Sequence, residues 1–172
     1  MTQTPFGNAR IADLDALPAD AFIEVVGPLF EGASRFLRRL ADARPFGDAA
    51  TLFERAEEIA RELPEDEAIE LVNAHPRLGA PPGSVSPASF GEQGYDTATP
   101  IEFELHELNA AYEAAFGFRY CVFVNGRPRA ELIPEFRSAL AQDREDELRR
   151  GAVAAVRIAR DRYRRATEEA RA

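Results

Sequence analysis

The side chains best suited to proton transfer lie around one proline-rich stretch, AHPRLGAPPGSVSPASFGEQGYD, residues 74–96. It contains His75, one of two histidines in the chain, followed by Ser89, Glu92 and Gln93. An imidazole titrates near neutral pH, and a carboxylate beside it can orient it or bind a substrate hydroxyl. The stretch therefore offers an imidazole and a carboxylate as a candidate acid–base pair.

Both groups also have a purely structural interpretation. His75 lies where an amphipathic helix meets Pro76, and an imidazolium at a helix C-terminus is stabilised by roughly 0.3–1 kcal/mol without any catalytic role. Ser89 and Glu92 have the S-x-x-E spacing of a capping box, although Gly91 and the residues after it have little helical propensity. From the residues alone, both interpretations stay open.

Other reactive side chains are weaker candidates. His106 falls on the polar side of a predicted helix near Glu102, which predicts a solvated i,i+4 pair rather than a site. Cys121 lies in an apolar run without a basic neighbour, so we expect a buried and inert thiol. An inward-facing arginine of the last helix could bind an anionic ligand through two hydrogen bonds; the candidates are Arg157, Arg160 and Arg162.

Apolar residues at helical spacing predict that these groups are positioned by a set of helices. The helical segments lie within residues 18–30, 33–46, 47–64, 65–76, 99–116, 126–142 and 143–172. The run YCVFV at 120–124 has no partner run for a sheet, so we expect a buried extended segment. We predict an all-α protein with one compact multi-helix domain over residues 1–172, its two ends frayed and its helices joined by a Pro/Gly-rich active-site loop.

The composition excludes several classes of function. With 21 basic and 30 acidic residues the formal net charge is −9, and no basic stripe is present for nucleic acid or an anionic membrane. No apolar run approaches the roughly 20 residues of a membrane span, and the first residues lack a secretory signal pattern, so we expect a cytoplasmic protein. One cysteine and two distant histidines give no metal-ligand spacing, so we expect no metal.

Four motifs in order resemble those of the 2-oxo-4-hydroxy-4-carboxy-5-ureidoimidazoline (OHCU) decarboxylase family, enzymes that complete the conversion of urate to S-allantoin. They are His75-Pro76-Arg77-Leu78-Gly79, Ser89-Phe90-Gly91-Glu92-Gln93, Leu108-Asn109 with Tyr112 and Phe116-Gly117-Phe118, and Arg157-Ile158-Ala159-Arg160-Asp161-Arg162. The segment 27–46 also resembles the first helices of the family, so the likeness covers nearly the whole chain.

The resemblance implies an all-helical, cofactor-independent carboxy-lyase that acts on a small ureidoimidazoline and forms a homodimer. It implies that His75 is the proton donor and that Glu92 orients the substrate hydroxyl and His75. The residues it implies for substrate binding are Pro76, Ser89, Gln93, Cys121, Val122, Phe123, Val124, Asn125 and Arg162.

Two alternatives remain open because the chain departs from the family pattern. Arg119 stands where a proline commonly follows the Phe-Gly-Phe triplet, and Val124-Asn125 stands where Ala-Arg is common. These departures motivate a divergent lyase that acts on a related ureide or heterocyclic carboxylate. A third hypothesis is a non-catalytic helical binding module on the same fold.

Overall fold

The computed structural model describes residues 10–80 and 99–170, and the secondary structure in these two ranges is helical. The described part contains eight α-helices and one 3₁₀ turn. They are α1 Ile11–Asp15, α2 Ala19–Val26, the 3₁₀ turn Gly27–Phe30, α3 Ser34–Asp42, α4 Ala49–Glu62, α5 Glu65–Ala74, α6 Thr99–Phe116, α7 Arg129–Ala139 and α8 Arg144–Glu169. The all-α prediction is confirmed; the short helix α1 was not predicted.

Local sequence signals place several helix ends. The Asp48 carboxylate accepts a hydrogen bond from the Thr51 N–H at 2.8 Å and caps α4, as predicted. The Asp143 carboxylate caps α8 in the same way. Helix α5 ends at Ala74, and His75 is extended with φ −79° and ψ 142°, the geometry favoured before Pro76.

Helix α8 is the centre of the packing, because it lies against α4, α5 and the 3₁₀ turn. Gly151 of α8 faces Val72 of α5. A Cβ atom at Gly151 would lie 3.1 Å from Cγ1 of Val72, so a larger side chain would require Val72 to shift. The small residue therefore allows α8 to approach the helix that ends at His75.

Residues 120–124 form a largely buried extended segment that pairs with no strand in the described ranges, as predicted. An aromatic cluster fixes its start. The Tyr112 ring of α6 makes edge contacts with Phe118 and Tyr120, with centroids 5.8 and 5.2 Å apart. Tyr120 stacks on Phe136 of α7 at 3.8 Å. Aromatic packing thus replaces strand pairing in holding this segment.

Within residues 10–80 and 99–170, none of the helices has the length and apolar character needed to cross a bilayer.

We predict that Gly151→Val lowers the free energy of unfolding by about 1–3 kcal/mol, because the added atoms overlap Val72 and force α5 and α8 apart. Urea denaturation measures the change. Arg160→Val is the matched control, since Arg160 is exposed on the same helix and its substitution should change stability by less than about 0.5 kcal/mol. Equal stability of the Gly151→Val protein and the wild type would contradict this packing.

Candidate active site

His75 is buried directly after α5, with 3% of its surface exposed. Its Nδ1 lies 3.2 Å from the carbonyl oxygen of Leu71. A carbonyl can only accept a hydrogen bond, so Nδ1 must bear the proton that it donates. In the neutral ring Nε2 then carries a lone pair instead of a proton. This buried atom has no hydrogen-bond partner among the described residues.

The backbone of His75 is fixed by Arg119. The Arg119 guanidinium donates hydrogen bonds to the carbonyl oxygens of Asn73 and His75, at 2.9 and 3.2 Å. The Arg119 N–H donates to Oδ1 of Asn73 at 2.8 Å. Arg119, one of the departures from the family pattern, therefore joins the end of α5 to the extended segment.

The surroundings of His75 favour its neutral form. Burial lowers the pKa of His75 from 6.5 to about 4, and the positive charge of Arg162 lowers it further than the negative charge of Glu31 raises it. From the sequence we expect an imidazole that titrates near neutral pH. In the structure, the imidazole is instead a neutral group that can accept a proton at Nε2.

His75 lines a pocket together with Pro76, Leu78, Tyr120, residues 121–125, Ile158 and Arg165. We name residues 121–125 the wall segment and the cavity the His75 pocket. Seven of the predicted site residues meet here, namely His75, Pro76, Cys121, Val122, Phe123, Val124 and Asn125. The pocket is narrow: about 30 Å³ of it can hold the centre of a water molecule.

A tight turn ends the wall segment. Asn125 and Gly126 both have positive φ, 52° and 70°, and the Arg127 N–H closes the turn onto the Val124 carbonyl at 3.1 Å. Asparagine and glycine are the residues that adopt this conformation most readily. Asn125, the second departure from the family pattern, is thus explained by the turn that it begins.

Two arginines of α8 lie near the pocket in different roles. Arg162 is buried, and its guanidinium donates to Glu31 at 2.8 Å and to the Leu29 carbonyl at 3.1 Å. Arg162 does not appear in the lining of the His75 pocket, and its predicted role in substrate binding stays a prediction. Arg165, one turn later, lines the pocket and forms an ion pair with Asp161 at 2.7 Å.

Ser89, Glu92 and Gln93 lie outside the described residues, so their predicted positions beside His75 stay predictions. The residues that sequence reasoning did not assign to the site are Leu78, Tyr120, Ile158 and Arg165. Helical spacing could have indicated Arg165 as a pocket residue. It follows Ile158 by seven residues and Arg162 by three, so the three side chains lie on one face of the helix.

The chain is similar to known proteins over most of its length. A family model described as OHCU decarboxylase matches residues 15–164. The uric acid degradation bifunctional protein PucL of Bacillus subtilis is 27% identical over 154 residues, which are 87% of this chain and 31% of that protein. The chain thus spans about a third of the length of this relative.

A second relative and a solved structure match this chain over most of their own length as well. The 2-oxo-4-hydroxy-4-carboxy-5-ureidoimidazoline decarboxylase of Halalkalicoccus jeotgali is 26% identical over 143 residues, 81% of this chain and 78% of that protein. The crystal structure of an OHCU decarboxylase in the presence of (S)-allantoin superimposes with a TM-score of 0.66, at 22% identity, over 83% of this chain and 96% of that chain. The superposition shows a shared fold.

The lowered pKa of His75 predicts a specific loss of stability in acid. Between about pH 6.5 and pH 4 the unfolded chain binds a proton at this residue and the folded chain does not, so the free energy of unfolding falls as the pH falls. We expect His75 to contribute a loss of about 2 kcal/mol between pH 7 and pH 5. Urea denaturation at both pH values measures it.

The control for this prediction is the other histidine. The His75→Gln protein should lose less stability between pH 7 and pH 5 than the wild type, whereas His106→Gln, at an exposed position, should lose as much as the wild type. NMR titration should show the His75 ring neutral at pH 5; a ring that is protonated at pH 6 would refute the prediction.

Proposed function

The chain belongs to the OHCU decarboxylase family, since the family model covers residues 15–164, and from this premise we propose that it converts 2-oxo-4-hydroxy-4-carboxy-5-ureidoimidazoline to S-allantoin and CO2. The observation that supports the proposal most is the unpartnered Nε2 of His75, on a residue that lines a pocket with the wall segment. His75 and the backbone of the wall segment line the same cavity, so a proton-transfer group and backbone donors can act on one ligand there.

The reaction breaks the bond between the ring carbon and its carboxylate. The electron pair left on that carbon delocalises into the adjacent C=N bond of the ring, so the substrate provides its own electron sink. The hydroxyl proton passes to the ring nitrogen and the carbon that lost CO2 becomes the ring carbonyl. The remaining step is delivery of one proton to one face of the neighbouring carbon, which bears the ureido group. This stereospecific step is the role we assign to His75.

The neutral His75 must first gain the proton that it delivers. A substrate carboxylate in the pocket is a negative charge beside the imidazole, and such a charge raises its pKa. Nε2 then takes up a proton while Nδ1 keeps its hydrogen bond to the Leu71 carbonyl. After CO2 departs, Nε2 transfers this proton to carbon and returns to its lone-pair form, so the enzyme ends the cycle unchanged.

Arg165 is the cation we propose for holding the anionic substrate. It lines the pocket, its side chain is 43% exposed, and its guanidinium pairs with Asp161 at 2.7 Å. A guanidinium can form two parallel hydrogen bonds to a carboxylate. Ser89, Glu92 and Gln93 complete the proposed substrate contacts by the family resemblance.

The family resemblance also supports a homodimer, a cytoplasmic location and a single domain over residues 1–172. Analytical ultracentrifugation tests the first of these directly, since a monomer at micromolar concentration would refute it.

A divergent lyase is the second candidate, favoured by Asn125, whose turn shapes the pocket wall where the family commonly has arginine. Two results together would support this candidate. The wild type would form no S-allantoin, and a related ureide or heterocyclic carboxylate would raise its melting temperature.

We predict that the wild type accelerates formation of optically active S-allantoin from freshly generated urate-oxidation product, and that His75→Ala lowers kcat by at least about 100-fold. Circular dichroism of the product measures the rate, and the far-ultraviolet spectrum of the protein checks that it stays helical. His106→Ala is the matched control and should keep full activity. A wild type that leaves the spontaneous, racemic decay unchanged would exclude this function.

Arg165→Gln should raise KM about tenfold and change kcat by less than about threefold, because one charged contact to the substrate is lost in both ground and transition states. Arg164→Gln is the control: Arg164 pairs with the same Asp161 at 2.8 Å but does not line the pocket. Steady-state kinetics of the two variants should therefore differ, and equal KM values would remove Arg165 from substrate binding.

A further inference from the structure

Two arginines bind the carbonyl oxygens of the wall segment. Arg150 of α8 donates from Nη1 to the Cys121 carbonyl at 3.0 Å. Arg127 donates from Nη2 to the Phe123 carbonyl at 2.9 Å and from Nε to the Val124 carbonyl at 3.1 Å. Three hydrogen bonds from arginine side chains thus hold the carbonyls of a segment that pairs with no strand within residues 10–80 and 99–170.

The direction of these carbonyls fixes the direction of the amides. In a planar trans peptide the C=O of one residue and the N–H of the next point in opposite directions. When the carbonyls of Cys121, Phe123 and Val124 point toward the guanidinium groups, the N–H groups of Val122, Val124 and Asn125 point away from them. These three N–H groups make no hydrogen bond within the part of the chain that the structure describes.

The wall segment separates two cavities. Val122, Phe123 and Asn125 line the His75 pocket on one side and a surface cleft on the other. Arg127 and Arg150 lie in this cleft, with Glu135. The carbonyls therefore face the cleft, and the amides of Val122, Val124 and Asn125 face the pocket that contains His75.

We propose that Arg127 and Arg150 are positioning residues that turn the wall segment so that the amides of Val122, Val124 and Asn125 become the hydrogen-bond donors for the substrate oxygens. The proposal rests on the proposed function for the identity of the ligand. Neither arginine touches the substrate, because the backbone of the wall segment lies between the guanidinium groups and the pocket.

Each guanidinium is itself held by a carboxylate. Nη1 of Arg127 pairs with Glu135 of α7 at 2.8 Å. Arg150 pairs with Glu147, which is buried and also accepts a hydrogen bond from the Tyr112 hydroxyl at 2.7 Å. A planar guanidinium can bind two carbonyls and a carboxylate at once, whereas an ammonium cannot reproduce this fixed geometry.

Arg127 is the better residue to change. Removing Arg150 would leave the buried Glu147 carboxylate with its charge uncompensated, and such a change can unfold a protein. Arg127 and Glu135 are both partly exposed, so Arg127→Gln should still fold. Arg127→Lys keeps the positive charge but lacks the planar set of guanidinium donors. Glu135→Gln weakens the ion pair with the guanidinium and leaves Arg127 in place.

Arg157→Gln is the matched control. Arg157 lines the same cleft and its loss removes the same charge, but its side chain approaches only Glu57 among the described acids, at 3.9 Å. We expect Arg127→Gln to raise KM about tenfold, with kcat changed less than threefold. Arg127→Lys should raise KM by nearly as much, Glu135→Gln by about threefold, and Arg157→Gln by less than twofold.

The second readout is the NMR spectrum of the backbone amides with (S)-allantoin as the added ligand. In the wild type and in Arg157→Gln, the amide protons of Val122, Val124 and Asn125 should move downfield on titration. In Arg127→Gln these shifts should be lost while the circular dichroism melt stays within a few degrees of the wild type.

An unchanged KM together with unchanged amide shifts in Arg127→Gln would overturn the proposal. A wild type that neither makes nor binds S-allantoin would overturn the proposed function and, with it, the assignment of the donors to this substrate. Residual dipolar couplings of the ligand-free wild type and Arg127→Gln would then still decide the positioning role, since equal amide orientations in both proteins refute it.

Discussion

The buried imidazole of His75 constrains this fold, because removing a charged ring from water costs free energy of folding. The chain meets it by keeping His75 neutral, with Nδ1 bonded to the last turn of α5 and the guanidinium of Arg162 nearby. Glu31 balances that guanidinium through a 2.8 Å ion pair. Within residues 10–80 and 99–170, Nε2 of this neutral ring has no hydrogen-bond partner.

Helix α8 connects the parts that surround this histidine. Arg150 from its first half reaches the wall segment, Ile158 lies in the pocket, and Arg162 and Arg165 follow on the next turns. One long rigid element therefore supplies groups to the pocket, to its outer wall and to the 3₁₀ turn. Such a scaffold can position non-helical segments accurately, because those segments have no regular hydrogen bonds of their own.

Arginine has a structural function throughout the molecule. All 21 basic residues are arginines, and several donate to backbone carbonyls that the helices leave unpaired. Arg44 binds the Leu17 carbonyl at 2.6 Å, and Arg144 binds the Phe116 carbonyl at 2.8 Å. In an all-helical fold with extended connections, these side chains replace the hydrogen bonds that a sheet would provide. Although the chain has a net negative charge, the charged side chains that donate hydrogen bonds at the wall segment are arginines, Arg127 and Arg150.

The sequence by itself determined the helices, their main ends and the candidate imidazole, because periodicity, caps such as Asp48 and Asp143, and the His75-Pro76 step act through neighbouring residues. It also predicted a buried extended segment at residues 120–124. Only the tertiary structure decided that His75 is neutral, that Arg165 rather than Arg162 lines the pocket, and that Arg119 and Asn125 have local structural roles. Those outcomes depend on burial and on contacts between residues far apart in the chain, such as Arg162 with Glu31 and Arg119 with Asn73, which spacing along one sequence does not encode.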